Sequence, residues 1–198
     1  MEDLDKLVFF LPSGDHFIQE LYASLRGEHV RSFLIKSGVH IRVARELVNP
    51  CVDDVYTEIL LDSPELRARK ELPNGNILYI KLEDLGGGIE KAIIVALWLE
   101  ALKPKLVLWD DFEASSHPSL IRTMISWLAD HDWQVVLATH SLDVLYGLLD
   151  VEPKNAQVIL LCKTADDEIR ADYMSLDELE DLLEAGQDPR YLVEVLKL

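Results

Sequence analysis

Two short β-rich runs, nearly all apolar, stop abruptly at polar residues. Leu106-Val107-Leu108-Trp109 ends at Asp110-Asp111, and Gln134-Val135-Val136-Leu137-Ala138 ends at Thr139-His140-Ser141. A strand apolar on both faces is what the centre of a parallel sheet needs, with helices covering both sides. Between the two runs, Leu120, Ile121, Met124, Trp127 and Leu128 recur at helical spacing, which predicts a helix over residues 119–129 facing the core. Strand, helix and strand in this order define an α/β chain built mainly on a parallel sheet, helices on both faces.

The same patterning organises the rest. Residues 7–11 read as a buried strand closed by Pro12-Ser13-Gly14, and Phe17, Ile18, Leu21, Tyr22 and Leu25 then mark a helix ended by Gly27. A short helix is read up to Gly38. An amphipathic run over residues 39–48 is expected to stop at Asn49-Pro50, because the residue before proline avoids helical torsions. Residues 55–61 and 77–82 are β-rich and are read as an antiparallel pair beside the main sheet. The ELRARKEL stretch between them is read as a solvated charged face. Residues 89–102 form a helix apolar nearly all round, expected to be buried on both sides. After a helix at 142–149, residues 158–162 read as a buried strand with 168–172 as its partner, and residues 177–183 and 191–196 as terminal helices. No linker or repeat divides residues 1–198, so a single domain is expected, long enough for a sizeable core.

Candidate chemistry enters at the strand ends. Ligands of open α/β sheets sit beyond the carboxyl ends of the strands, so Asp110, Asp111, Glu113 and His140 are expected at one edge. Two readings stay open. The carboxylates hold Mg²⁺ through its waters and orient an attacking water while His140 meets a terminal phosphate; alternatively the same residues with His117 ligate a metal directly in a hydrolase. Upstream, Gly86-Gly87-Gly88 opens a helix, where exposed amides and the helix dipole favour an anion.

Charge narrows the partners. A formal net charge of -17 repels nucleic acid phosphates, so direct nucleic acid binding by this chain is not expected. Cys51 and Cys162 lack C-x-x-C spacing and are read as small apolar residues rather than a zinc site or a disulfide. The acidic Met1-Glu-Asp-Leu-Asp start is unlike a signal peptide, and the longest apolar run, 92–102, contains Glu100 and is too short for a bilayer, so a cytoplasmic protein without membrane contact is expected.

DDFEASSHPSL at residues 110–120, followed after a helix by QVVLATHSLDVL, resembles the Walker B, D-loop and switch-histidine segments of ABC-type AAA ATPases, relatives of the overcoming-lysogenization-defect family. LEDLGGGIEKAIIVAL at residues 82–97 resembles their signature motif. The resemblance covers about the last 120 residues well and the first 80 loosely. It implies a P-loop NTPase-like fold, the second lobe of an ABC ATPase with a small antiparallel addition, and ATP with Mg²⁺ as cofactors. By residue, it implies Asp110 on Mg²⁺ through water, Asp111 where the family places a catalytic glutamate, Glu113 as an acidic residue that takes over from it, and His140 at the γ-phosphate. Gly86, Gly87 and Gly88, with Ser115, Ser116 and His117, would meet nucleotide at an interface between protomers. The family's G-x-x-x-x-G-K-[ST] loop is missing; Leu11-Pro-Ser-Gly-Asp15 lacks its second glycine and its lysine. The resemblance thus implies an ATPase half whose P-loop comes from a partner chain, or through self-association. A nucleotide-inactive regulatory module that keeps the fold is the alternative, beside the metal-dependent phosphohydrolase.

Overall fold

A computed structural model describes residues 7–52, 54–61, 65–164 and 166–191. The chain divides into two compact units, Met1–Val144 and Leu145–Leu198.

The first unit is organised on a three-stranded parallel sheet in the order β1-β5-β6. Strand β1 is Val8–Leu11, β5 is Leu106–Trp109 and β6 is Gln134–Leu137. The central position of β5 follows from its unbroken apolar run. Register places Leu11, Trp109 and Leu137 side by side, so the three strands end together. One face carries Phe9, Leu11, Val107 and Trp109, all buried. The opposite face carries Val8, Phe10, Leu106, Leu108, Gln134 and Val136. On it Val8 is 44%, Phe10 53% and Val136 47% exposed, far more than a covered sheet allows.

Helix α5 (Gly87–Leu102) is the axis of this unit, with every residue from Ala92 to Leu97 buried. It packs against α1 (Asp15–Leu25), α3 (Val39–Val43) and α6 (Pro118–Ala129). An all-round apolar helix is stable only when neighbours cover every side. Its single buried charge, Glu100, accepts hydrogen bonds from Arg42 at 2.9 Å and from His131 at 3.0 Å.

The helix expected to stop at Asn49-Pro50 does not. After α2 (Glu28–Lys36) and α3, the chain widens into one π-helical turn over Ala44–Val48 and resumes as α4 (Asn49–Val52). A proline ring normally collides with the carbonyl one turn back, and the wider turn relieves that collision. Asn49 then ties the exit, its side chain bonding Tyr56 N at 2.7 Å and Tyr56 O at 3.1 Å.

The antiparallel addition has three strands rather than two. The two β-rich runs, here β2 (Glu58–Leu60) and β4 (Ile77–Lys81), do not pair with each other; β3 (Arg67–Glu71), part of the stretch read as a solvated charged face, lies between them. Ala68 is fully buried on one face, and the basic side chains are matched by Lys70–Asp54, Arg69–Glu71 and Lys81–Glu65 ion pairs. The turn at residues 73–76 joins β3 to β4.

Helix α7 (Leu142–Val151) spans the boundary between units. In the second unit β7 (Val158–Lys163) pairs antiparallel with β8 (Ile169–Met174), as expected, followed by α8 (Leu176–Glu184) behind a Ser175–Glu178 capping box. Strand β7 is not buried as expected, since Ile159 and Leu161 are exposed on one face. Of the expected last helix at 191–196, residues 192–196 lie outside the described residues.

Candidate functional site at the strand ends

Because β5 and β6 are hydrogen-bonded parallel neighbours that end in register, Asp110-Asp111 and Thr139-His140 leave the sheet at the same end. Asp110 is half-buried; its amide donates to Leu11 O at 2.9 Å, and its Oδ1 accepts the Asp111 amide at 3.2 Å. Asp111 adopts a left-handed backbone with φ 48°, a conformation Asp tolerates better than most side chains. The chain then turns tightly, Ala114 N to Asp111 O and Ser116 N to Glu113 O.

Glu113 links the two strand ends directly: its Oε1 accepts the backbone N–H of His140 at 2.9 Å. Burial alone would raise its pKa, but the Thr139 hydroxyl and the His140 amide outweigh that, so the carboxyl titrates below its ordinary value. Glu113 Oε2 is buried and makes no hydrogen bond of its own. A carboxylate fixed and ionised in this way is a weak base and a firm strut. His117 caps α6, its Nδ1 accepting from Ser119 N at 3.3 Å. Among the described residues, no three His, Cys, Asp or Glu side chains converge on a metal position. That geometry speaks against direct ligation by Asp110, Asp111, Glu113, His117 and His140: Glu113 is engaged with the His140 backbone, and His117 is turned to its own helix.

The glycine triplet has distinct local reasons. Gly86 caps α5 with φ 106° and ψ 144°, a region closed to side chains. At Gly88 a Cβ would lie 2.3 Å from the Ser115 carbonyl oxygen, so the start of α5 packs directly on the turn after β5. Gly87 has neither a positive φ nor a neighbour within 4 Å. The structure thus brings Gly88 and Ser115 together, joins Glu113 to His140, and leaves His117 exposed on the first turn of α6.

Lys91 was not singled out from sequence. It is half-buried one turn beyond Gly88, its Nζ 5.8 Å from the centre of the Trp109 ring. Burial pulls its pKa down against the opposing pull of Asp15, Asp111 and Glu113. It lines a cleft of about 10 Å³ with Gly88, Ala92, Trp109, Phe112, Ser116, Ile121 and Met124. The signal was available: residues three apart on a helix share a face, so Lys91 goes where Gly88 goes.

The parallel sheet and its covering helices define an α/β domain with a P-loop NTPase-like fold. Residues 56–145, less than half of the chain, match the family described as "AAA domain, putative AbiEii toxin, Type IV TA system". Among solved structures, a chain from work on ATP-driven dimerization and DNA-stimulated activation of SMC ATPases aligns with TM-score 0.53 at 14% identity, over 79% of this chain and 96% of that one. An SMC head bound to the C-terminal winged-helix domain of ScpA also aligns with TM-score 0.53 at 14% identity, over 87% of this chain and 57% of that one. No curated protein matches. At this identity the likeness establishes the fold. No helix among the described residues is long and apolar enough to cross a membrane.

Proposed function

We propose that the chain is the carboxyl-terminal lobe of an ABC-type AAA ATPase related to the overcoming-lysogenization-defect family, both units contributing to that lobe, with the P-loop supplied by another chain. The observation that carries this reading is the Glu113–His140 bond, which holds Asp110-Asp111 and the histidine at one end of neighbouring parallel strands. A divalent cation such as Mg²⁺ keeps most of its waters and needs only one or two carboxylates beside phosphate oxygens, which Asp110 and Asp111 at the strand end would provide. Mg-ATP would supply the phosphoanhydride bond and the charge that neutralises its oxygens.

Within that reading Asp110 faces the cation's waters. Asp111 orients the attacking water and takes its proton, at the reach of an aspartate rather than a glutamate. A shortfall on the order of 1 Å costs about a hundredfold in rate, so turnover is slow even when the site is complete. His140 meets the terminal phosphate, and Glu113 acts through it by fixing its backbone. The amides of Gly86, Gly87 and Gly88, with Ser115, Ser116 and His117, face the nucleotide of an opposing protomer.

The test is calorimetric titration of the purified chain with Mg-ATP, with Asp110→Asn and His140→Ala as controls. No binding up to millimolar ATP is the expected result. Micromolar binding lost in both variants would mean that the chain completes its own site.

A further inference from the structure

The β2-β3-β4 sheet ends in a bare edge at β4. On its inner side Leu82 N donates to Leu66 O at 3.1 Å, and Asn76 O accepts from Leu72 N at 2.8 Å. Alternation along an antiparallel strand therefore turns the main-chain groups of Leu78 and Ile80 towards β3, and those of Ile77, Tyr79 and Lys81 outward. No strand pairs with that outer side among the described residues. The side chains on the same strand are apolar where they meet water, since Ile77, Leu78 and Tyr79 are all exposed. An unpaired edge of this kind is a template for one more strand.

Charge narrows what that strand is. Residues 65–83 hold four basic and three acidic side chains, in a chain whose net charge is -17. Lys81, the charge on the edge itself, is already held by Glu65 at 3.1 Å and Glu83 at 3.2 Å. Repulsion between two molecules of this chain is therefore weak at this edge, and covering it leaves no lone charge at Lys81. A strongly acidic or strongly basic partner meets no opposite field here.

Strand β4 also complements itself. Two copies running antiparallel about a two-fold axis at Tyr79 set Tyr79 against Tyr79 and Ile77 against Lys81, and the outward main-chain groups of all three residues find partners. On the other face of the pleat Leu78 falls opposite Ile80, apolar on apolar. This continues the face on which Ile59 and Ala68 are fully buried. We propose that β4 pairs in this register with β4 of a second copy, joining two three-stranded sheets into one antiparallel sheet. The pairing needs no nucleotide and goes beyond the half-site reading without resting on it.

Sedimentation velocity of the purified full chain without nucleotide tests it. Dimer is expected to form as concentration rises, and more readily at physiological than at low salt, where the net charge is less screened. Tyr79→Pro removes an outward amide and none that bonds β3, a change edge strands accept. Leu78→Asp sets a carboxylate opposite Ile80. Each should raise the dimer dissociation constant about tenfold or more with the far-ultraviolet circular dichroism unchanged; should the proline variant lose its fold, Leu78→Asp decides alone. In a mixture of isotopically labelled and unlabelled chains, benzoylphenylalanine placed at Tyr79 should link to residues 77–81 of the other copy. A monomer at every concentration, a dimer that Leu78→Asp leaves intact, or links that fall elsewhere would overturn the pairing. Micromolar Mg-ATP binding by the lone chain would overturn the half-site reading and leave this pairing standing.

Discussion

Three adjacent glycines do three different things, and substitution should tell them apart. At Gly88 any side chain meets the Ser115 backbone; backbone cannot swing aside as a side-chain tip does, so Gly88→Ala should cost about 1–3 kcal/mol, the usual range for overpacking. Gly87→Ser meets nothing and removes unfolded-state freedom, so a gain of about 0.4–1 kcal/mol is expected. Urea denaturation of the two variants measures the difference, and equal losses at both positions would contradict these contacts. Local geometry selects Gly87 as the one able to carry a side chain, because Gly86 has φ 106°.

At the level of elements, β5, β6 and α6 were legible because their patterns are strong: unbroken apolar runs, and a clean helical period. Strand β3 was not, since RARKE offers only Ala68 to the core and hides its strand character under charges that neighbours neutralise. The π turn was equally invisible, because proline chemistry predicts a stop and only three-dimensional packing reveals the wider turn. Of the candidate site, the strand-end position of Asp110 and Asp111 could be read from sequence, whereas the bond from Glu113 to the His140 backbone could not. No periodicity records where a carboxylate turns after a tight loop.

Between elements, the Glu100–Arg42–His131 cluster makes a prediction about pH. The hydrogen bond from His131 outweighs burial at Glu100, so that carboxyl titrates below its ordinary 4.5. At His131, burial opposes protonation, but Glu100, the Trp127 carbonyl and the nearby charge of Glu46 raise its pKa above 6.5. A raised histidine contributes fully below its unfolded value and loses that contribution as pH rises through its folded one. A lowered carboxylate contributes above its unfolded value and loses that as pH falls. Thermal stability should therefore be greatest between pH 4.5 and 6.5 as far as this cluster governs it. It should decline on the alkaline side, and His131→Gln should flatten that decline. An unchanged alkaline slope in the variant would show that other groups set it.

For the whole molecule, the net charge of -17 spread over 198 residues means self-repulsion in the folded state. Screening lengths fall from about 30 Å at 0.01 M salt to about 8 Å at 0.15 M, so the melting temperature should rise over that interval. Salt also weakens the exposed ion pairs of the β2-β3-β4 sheet, but such pairs contribute little, about 0–1 kcal/mol each. A fall in melting temperature on adding salt would mean that the pairs dominate the repulsion.

The exposed face of the β1-β5-β6 sheet has a consequence for dosage. A sheet face that exposes Val8, Phe10 and Val136 is stabilised by whatever covers it, through mass action. Copies made in excess of that cover keep the face available to one another, and their locally opened chains available to proteases. If a partner covers that face, the amount of this protein that persists is expected to follow the amount of that partner.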